Sequence, residues 1–562
     1  MKERCLAYVV VFFLLAQAPA GLRAQGLYAG AAAEKIQACT DRTLYISGEK
    51  IFFKAVVYNE DNRAGGILSR VIYCELITPD GKKVTGMKYL LENGSGHGCL
   101  PIPQETISGY YFLKLYTRFM RNNGTDDYRY IMLKIINPLK TEVLPASGTS
   151  DTTQAVPGPE VFADSPGLRL SLVKNTFSPR ELITLDIHAD TGNLAPAGIS
   201  LSVVPESASG QMYFPVRHRA EDHNTDRYLP ETRGLSLSGQ FIDKKSGKPV
   251  AAANINLSIL GNKDILVVRT DSAGRFVFAL PPLPGNRDIF LSAMAQPGIV
   301  PEILVDNDYC SRPLHLAAPR FTMSGEELKT AFRLALNARI ATVFMTDTLP
   351  DASPLRETTE NAFYGQPTEV LPMDKFIDMP TLEEYFNELP FIAKVKKVGG
   401  RKTFWFINPQ PEMTMYAPLV LVDWVAVDDL EKVLAMPPAE IEHIEVVNSP
   451  YIKGNVTFGG IVSFISKKND FAGIDLPASG KFINFGFLDD CSDHNLPGIL
   501  PRNVPDPRNT VYWNPSIPAG TDGNTIISFT APDTPGKYTI LLTGFSRTGG
   551  LVRTTKTIVI SQ

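Results

Sequence analysis

The chain has 562 residues, a formal charge of −4 at neutral pH and 44% hydrophobic residues. That length corresponds to roughly three to five domains of ordinary size, and the slightly acidic balance excludes a general nucleic-acid binder. The 43 glycines and 43 prolines, spread along the chain, suit many turns between short strands, hence a mainly β, multidomain fold.

Residues 1–24 read as a secretory signal peptide: Lys2 and Arg4, an apolar core from Leu6 to Ala16, then small residues at Ala18-Pro19-Ala20 and Leu22-Arg23-Ala24. The core is shorter than the ~20 residues of a spanning helix, and no later stretch is longer or more apolar. The expectation is an exported chain, periplasmic or associated with the outer membrane, with no transmembrane segment of its own. Cys5 lies in the charged start, where it is no lipoprotein anchor. Beyond the leader stand Cys39, Cys74, Cys99, Cys310 and Cys491, with no C-x-x-C pair to suggest zinc or dithiol redox chemistry. Export permits disulfides, and Cys74 with Cys99, inside one module, is the expected bridge; the odd count leaves a thiol free or inter-chain.

The first module, 25–145, opens with Tyr45-Ile46-Ser47-Gly48-Glu49 and an alternating strand through Val57. It turns at Pro79-Asp80-Gly81 and closes on Gly109-Tyr110-Tyr111. This order resembles the second macroglobulin-type domain (MG2) of α2-macroglobulin relatives and implies a β-sandwich. The continuation Thr117-Arg118-Phe119-Met120-Arg121-Asn122 resembles a group of Bacteroidetes envelope proteins that join such domains to plug-like segments. A Ser/Thr/Pro-rich linker, 146–166, leads to a second macroglobulin-like sandwich region, 167–233, with Phe177-Ser178-Pro179-Arg180-Glu181 echoing the first opening. Its charged run 217–223, with His218 and His223, reads as a solvated loop rather than a metal site, because the spacing matches no helical ligand pair. Residues 234–315 carry Ser238-Gly239-Gln240-Phe241, Gly247-Lys248-Pro249-Val250 and Thr270-Asp271-Ser272-Ala273-Gly274-Arg275-Phe276. They are similar to the carboxypeptidase regulatory-like domain, a small sandwich whose name implies no peptidase activity.

Ser324 and Glu327 form a capping box that starts a helical connector, 320–345. Leu328, Phe332, Leu334, Ala335 and Ile340 give it an apolar face, either for a partner or, the favoured reading, for covering the adjoining domain. A short helix at Thr381–Leu389 and a hairpin over Val395–Ile407 turning at Gly399-Gly400 follow. Within 375–470 come Leu419-Val420-Leu421-Val422-Asp423, Pro437-Pro438-Ala439-Glu440-Ile441-Glu442-His443-Ile444-Glu445-Val446 and Gly459-Gly460-Ile461. They resemble the plug domain of TonB-dependent outer-membrane receptors. That family runs valine-aspartate-glycine, then proline-x-aspartate-isoleucine-glutamate-x-isoleucine-glutamate-valine, then glycine-glycine-x-isoleucine. Trp424 stands where the family has glycine, and Glu440 where it has aspartate. The residues after Lys468 are too few for the receptor's barrel, whose strands need ~9–11 residues each plus turns. The expectation is a plug-like unit without a barrel of its own, followed by a C-terminal Ig- or macroglobulin-like sandwich, 489–562.

Chemistry finds little footing. No cysteine has the glutamate and glutamine that a macroglobulin thioester needs, no H-E-x-x-H occurs, and neither a G-x-S-x-G elbow nor a phosphate-binding loop is present. Neighbouring carboxylates such as Glu383-Glu384 and Asp428-Asp429 read as solvated faces. The expectation is therefore no catalytic, cofactor or metal site and no enzyme, but an envelope scaffold whose plug-like unit docks with an outer-membrane protein complex. The alternative is a ligand-binding accessory, for peptide or glycan, of a TonB-dependent uptake system.

Overall fold

The computed structural model describes residues 34–59, 67–146, 167–190, 194–210, 212–213, 228–294, 298–344, 361–476, 479–489, 505–518, 523–546 and 550–561. The leader, the linker beyond Ala146 and the charged run 217–223 lie outside them. The fold is mainly β, built of several sandwiches around one small mixed unit.

The first sandwich packs a three-stranded sheet (Glu34–Thr40, Lys50–Asn59, Ser95–Pro101) on a six-stranded one. At the centre of the larger sheet, Val71–Ile77 and Gly109–Tyr116 are buried along their whole length. Both faces are covered, which explains why these strands are near-continuously apolar rather than alternating. The third sandwich supplies the second cover, since Leu237, Phe241 and Phe278 belong to the same core as Tyr73 and Tyr116.

The stretches 167–233 and 489–562, expected as two sandwiches, are two halves of one. Leu182–Ala189 pairs with Asn524–Thr530 from Leu182↔Thr530 to His188↔Asn524, and Leu194–Pro205 pairs with Gly536–Ser546. Leu201, Val203, Phe529, Ile540 and Leu542 share its core. Alternation along Leu182–Ala189 fixes which face is buried, yet says nothing about which strand lies alongside.

The third sandwich is also completed from a distance. Its sheets are Arg275–Ala279, Ser236–Asp243, Pro301–Val305 and Ile265–Arg269, Asn254–Ile259, Asn286–Ala293, Lys481–Gly486. The last strand arrives after the mixed unit and pairs Asn286↔Gly486 through Leu291↔Lys481. The expected boundary at 315 therefore shifts. Past Val305 the chain leaves this sandwich for the first, where Leu316 N–H bonds Pro79 O and Tyr116 Oη receives Cys310 N–H.

The connector helix Gly325–Phe344 has the expected box: Ser324 Oγ accepts from Glu327 N–H at 3.2 Å, and Glu327 Oε2 from Ser324 N–H at 2.7 Å. Of the expected face, Leu334 and Ala335 pack on the sandwiches, whereas Leu328 and Phe332 do not. Thr330, Ala331 and Leu334 face Leu44, Ile46 and Ala208, while Leu328 and Phe332 are exposed, the latter 70%. Small residues let the helix lie close on the sandwiches, and that closeness outweighs the larger side chains.

The Cys74–Cys99 bridge does not form. Cys74 lies in the first sandwich's larger sheet as a free, buried thiol, and burial pushes its pKa up. Cys99 lies in the opposite sheet, in the contact with Cys39, Phe52 and Trp513, and is itself disulfide-bonded, though not to Cys74. The two sit on different sheets and in different apolar clusters.

Deleting residues 505–562 should strip amide protection from Leu182–Ala189 and Leu194–Pro205 while leaving Val71–Ile77 and Ile461–Ser466 protected. Hydrogen exchange read by mass spectrometry distinguishes this from independent sandwiches, in which the earlier strands would stay protected.

Candidate functional site

The mixed unit carries all of the plug-like motif. Its sheet runs Glu369–Pro372, Ile441–Val447, Ile461–Ser466, Leu419–Val422, Val425–Ala426, with one parallel pair, Leu419–Val422 beside Ile461–Ser466. One face packs Val422, Ile441, Ile444, Val446 and Phe464 on Tyr385, Phe386 and Val433 of the helices Leu382–Glu388 and Leu430–Leu434. The other packs Leu419, Leu421 and Ile461 on Ile265 and Val267 of the third sandwich.

Asp423 and Trp424 make the two-residue turn joining Leu419–Val422 to Val425–Ala426, with φ of +44° and +68°. Such a turn needs positive φ at both positions, which glycine accepts and tryptophan resists. Asp423 is 8% exposed and locks the turn: its carboxylate accepts from Ser466 N–H (2.8 Å), Ser466 Oγ–H (2.6 Å) and Phe471 N–H (2.8 Å). Trp424 stacks on Tyr364 at 5.8 Å, and its carbonyl accepts from Ser258 Oγ–H at 2.9 Å, so the strained residue ties the unit to the third sandwich.

Pro438 opens a single 3-10 turn, Pro438–Glu440, and Glu440 pairs with Lys468 at 3.6 Å on the surface. The register of Ile441–Val447 against Ile461–Ser466 shifts between Ile441 and His443. This bulge at Glu442 lets Ile441 and Ile444, three apart, both point inward. Glu442 is exposed, and Glu445 is half-buried, accepting from Tyr364 Oη–H at 2.5 Å with His443 Nε2 at 3.4 Å. The Glu445 hydrogen bond raises the His443 pKa, and His443 lowers that of Glu445. Gly459 admits no side chain, because a Cβ would collide with the carbonyl oxygens of Met413 and Tyr416. Gly460 has φ +106°, and a Cβ there would sit 2.8 Å from the Phe406 ring.

The ten motif residues thus lie in one unit, as joints that hold the sheet, its turns and its neighbour. They form no convergent acid–base or ligand set, and among the described residues no three His, Cys, Asp or Glu group as for a metal. The motif did not point to Tyr364, which meets both Trp424 and Glu445 from a segment of unmarked composition.

With both sheet faces covered, the hairpin Ala393–Val398/Arg401–Phe406 projects, turning at Gly399-Gly400 with φ of +57° and +86°. Phe404 and Phe406 anchor it in the helix-side core. Val398 (64%), Trp405 (41%) and Ile407 (42%) are exposed, with Lys396 Nζ 4.2 Å over the Trp405 ring. Near the turn, Lys402 is held by Glu383 (2.9 Å) and Glu431 (3.0 Å).

No family model and no curated protein matches the chain. Among solved structures, Salmonella alpha-2-macroglobulin reacted with methylamine aligns over 94% of this chain and 40% of its own, at 10% identity and a TM-score of 0.24. Native E. coli alpha-2-macroglobulin aligns over 95% and 40%, at 8% identity and a TM-score of 0.24. Dimeric latent PorU from Porphyromonas gingivalis aligns over 51% and 34%, at 13% identity and a TM-score of 0.15. The chain spans less than half the length of the alpha-2-macroglobulins it matches.

Replacing Gly459 and Gly460 by valine should destabilise the mixed unit by at least about 1 kcal/mol per site and leave the first sandwich folded. Unit-resolved hydrogen exchange reads both. The His443–Glu445 pair gives a second check. His443 has the higher pKa in the folded state, so its stabilisation is complete below its unfolded value, about 6.5, and fades as pH rises through the folded value. The Glu445 contribution runs the other way, present above about 4.3 and lost as pH falls through its lowered folded value. His443→Gln should therefore cost more stability at pH 5.5 than at pH 8.5 in parallel urea titrations.

Proposed function

We propose that the chain is a non-enzymatic scaffold of the bacterial cell envelope, exported and periplasmic or outer-membrane-associated, whose mixed unit is a receptor-plug relative that docks with an outer-membrane protein complex. The order of motif elements from Asp423 to Gly460 supports the plug relationship, and the likeness of the earlier modules to MG2 and carboxypeptidase regulatory-like domains supports a spacer role for the sandwiches.

The observation that carries the docking role is the projecting hairpin. The sheet behind it is sealed on both faces, and the hairpin presents Val398, Trp405 and Ile407 beside Lys396, Lys397 and Arg401. An exposed tryptophan with apolar neighbours and cations has the make-up of a protein-binding anchor.

A photo-crosslinking amino acid placed at Trp405 in living cells should capture an outer-membrane protein. The same probe at Val173, an exposed residue of the middle sandwich, should not. Identical adducts from both positions, or a chain that fractionates with the cytosol, would defeat the reading.

A further inference from the structure

Where the first sandwich, the third sandwich and the mixed unit meet, there is an open cleft of about 840 Å³. Five arginines line it: Arg118 and Arg121 from the segment after the first sandwich's central strand, and Arg233, Arg269 and Arg275 from the third. Asn455 of the mixed unit closes one end, its side-chain oxygen accepting from Arg269 N–H at 2.9 Å.

Of the three carboxylates in the same lining, Asp271 and Asp306 are engaged, and Glu231 is engaged through Oε1, its Oε2 being buried without a donor. Glu231 accepts from Tyr73 Oη–H (3.1 Å) and from Ser236 N–H and Oγ–H (both 2.8 Å). Asp271 accepts from the amides of Ala273 and Arg275, and Asp306 from the Ser238 hydroxyl. Arg233 and Arg269 keep capacity. Arg233 is exposed with no partner among the described residues, and Arg269 is exposed with its Nε alone spent, on Asn254. Arg121 is buried, lies 3.9 Å over the Tyr228 ring and already donates to Asn307 O, Asp308 O and Tyr228 Oη, so it contributes charge rather than an open donor.

One wall of the cleft is a strand edge that no other strand among the described residues pairs with. Arg275–Ala279 ends its sheet, with Ser236–Asp243 as its neighbour. Phe241 N–H bonds Gly274 O and Leu280 N–H bonds Leu235 O, so the even-numbered residues between them spend their backbone groups inside the sheet. Val277 and Ala279 therefore turn N–H and C=O to the open side; the equivalent groups of Arg275 are taken by Asp271. Free amides two residues apart match the repeat of an incoming strand, and guanidinium groups alongside match carboxylates.

We propose that this cleft binds an extended acidic peptide segment, which adds as a strand along Arg275–Ala279 and delivers its carboxylates to Arg233 and Arg269. The mode is β-strand addition with charge selection. It does not depend on the docking role of the hairpin, which lies on another surface of the mixed unit.

The test uses the chain from residue 25 onward and a fluorescein-labelled peptide of alternating glutamate and valine, seven residues long, followed by anisotropy. Saturable binding is expected that weakens with salt, and the lysine–valine counterpart should bind at least tenfold more weakly. Val277→Pro removes an amide that points away from the sheet, which edge strands tolerate, and should weaken binding at least tenfold. Arg233→Glu, on an exposed side chain, should do the same with unchanged melting, and it keeps the test alive if the proline variant misfolds. No saturable binding, equal binding of the lysine peptide, or full affinity in a folded Val277→Pro would overturn the proposal. So would an oligogalacturonate that displaces the peptide and is itself indifferent to Val277→Pro, which would make the site one for acidic glycans.

Discussion

The antiparallel pairing of Leu194–Pro205 with Gly536–Ser546 is the constraint on which the rest of the architecture rests. The chain between Pro205 and the returning strands Tyr512–Asn514, Asn524–Thr530 and Gly536–Ser546 is an insertion into the sandwich that these strands complete. Within it, Lys481–Gly486 returns to pair with Asn286–Ala293 and closes a second ring. The mixed unit lies inside that ring, so the chain is nested rather than strung out. Closing a loop costs only about 0.6 kcal/mol more for each doubling of its length, so an insertion of this size is affordable where its ends already lie together. The inner rings bring those ends together, since each folded insert replaces a long flexible loop with a short span.

Nesting fixes connectivity, and buried polar joints fix orientation. Arg42, almost fully buried, donates to Glu49 (2.8 Å), to Thr510 Oγ1 (3.0 Å) and to Leu44 O (3.0 Å). Asn509 Nδ2 in turn bonds Leu334 O of the connector helix at 3.0 Å. Residues from the start, the middle and the end of the chain thus share one network. On the opposite side, Glu75 takes Lys114 Nζ–H at 2.9 Å and Tyr116 Oη–H at 2.8 Å, and Tyr116 Oη receives the Cys310 amide. Buried ion pairs of this kind add little net stability, because desolvation offsets the attraction. Their contribution is geometric, since the bonds to Thr510, Leu334 and Cys310 join residues far apart in the chain and constrain how the modules meet.

Local features were legible because they depend on neighbours in sequence. The capping box at Ser324 and Glu327, the Gly399-Gly400 hairpin and the Gly459-Gly460 turn each follow from a few residues and the backbone conformations they allow. What was not legible is pairing across distance. Alternation in Leu182–Ala189 announces a half-buried strand and is silent on Asn524–Thr530. The cysteine expectation failed likewise: sharing a module does not place Cys74 and Cys99 on the same sheet. The helix misled in another way. Counting large apolar residues selected Leu328 and Phe332 together with Leu334, and of these three only Leu334 is buried, beside Thr330 and Ala331. In the mixed unit the motif residues lie together, but their partners Tyr364 and Ser258 come from segments with no pattern of their own.

Trp424 shows how the mixed unit is joined to its surroundings. A bulky residue at positive φ costs on the order of 1–3 kcal/mol, and a stacked aromatic pair returns ~0.5–1.5 kcal/mol beyond its buried area. The turn therefore holds only because burial against Tyr364 and the hydrogen bond from Ser258 act with the stacking. Glycine would relieve the turn and lose the contact. The same boundary carries Lys453 paired with Asp264 at 2.6 Å and Asn455 bonded to the Arg269 amide. The unit is thus fastened by its central turn and by the hairpin Tyr451–Lys453/Val456–Phe458, and that second fastening borders the arginine-lined cleft.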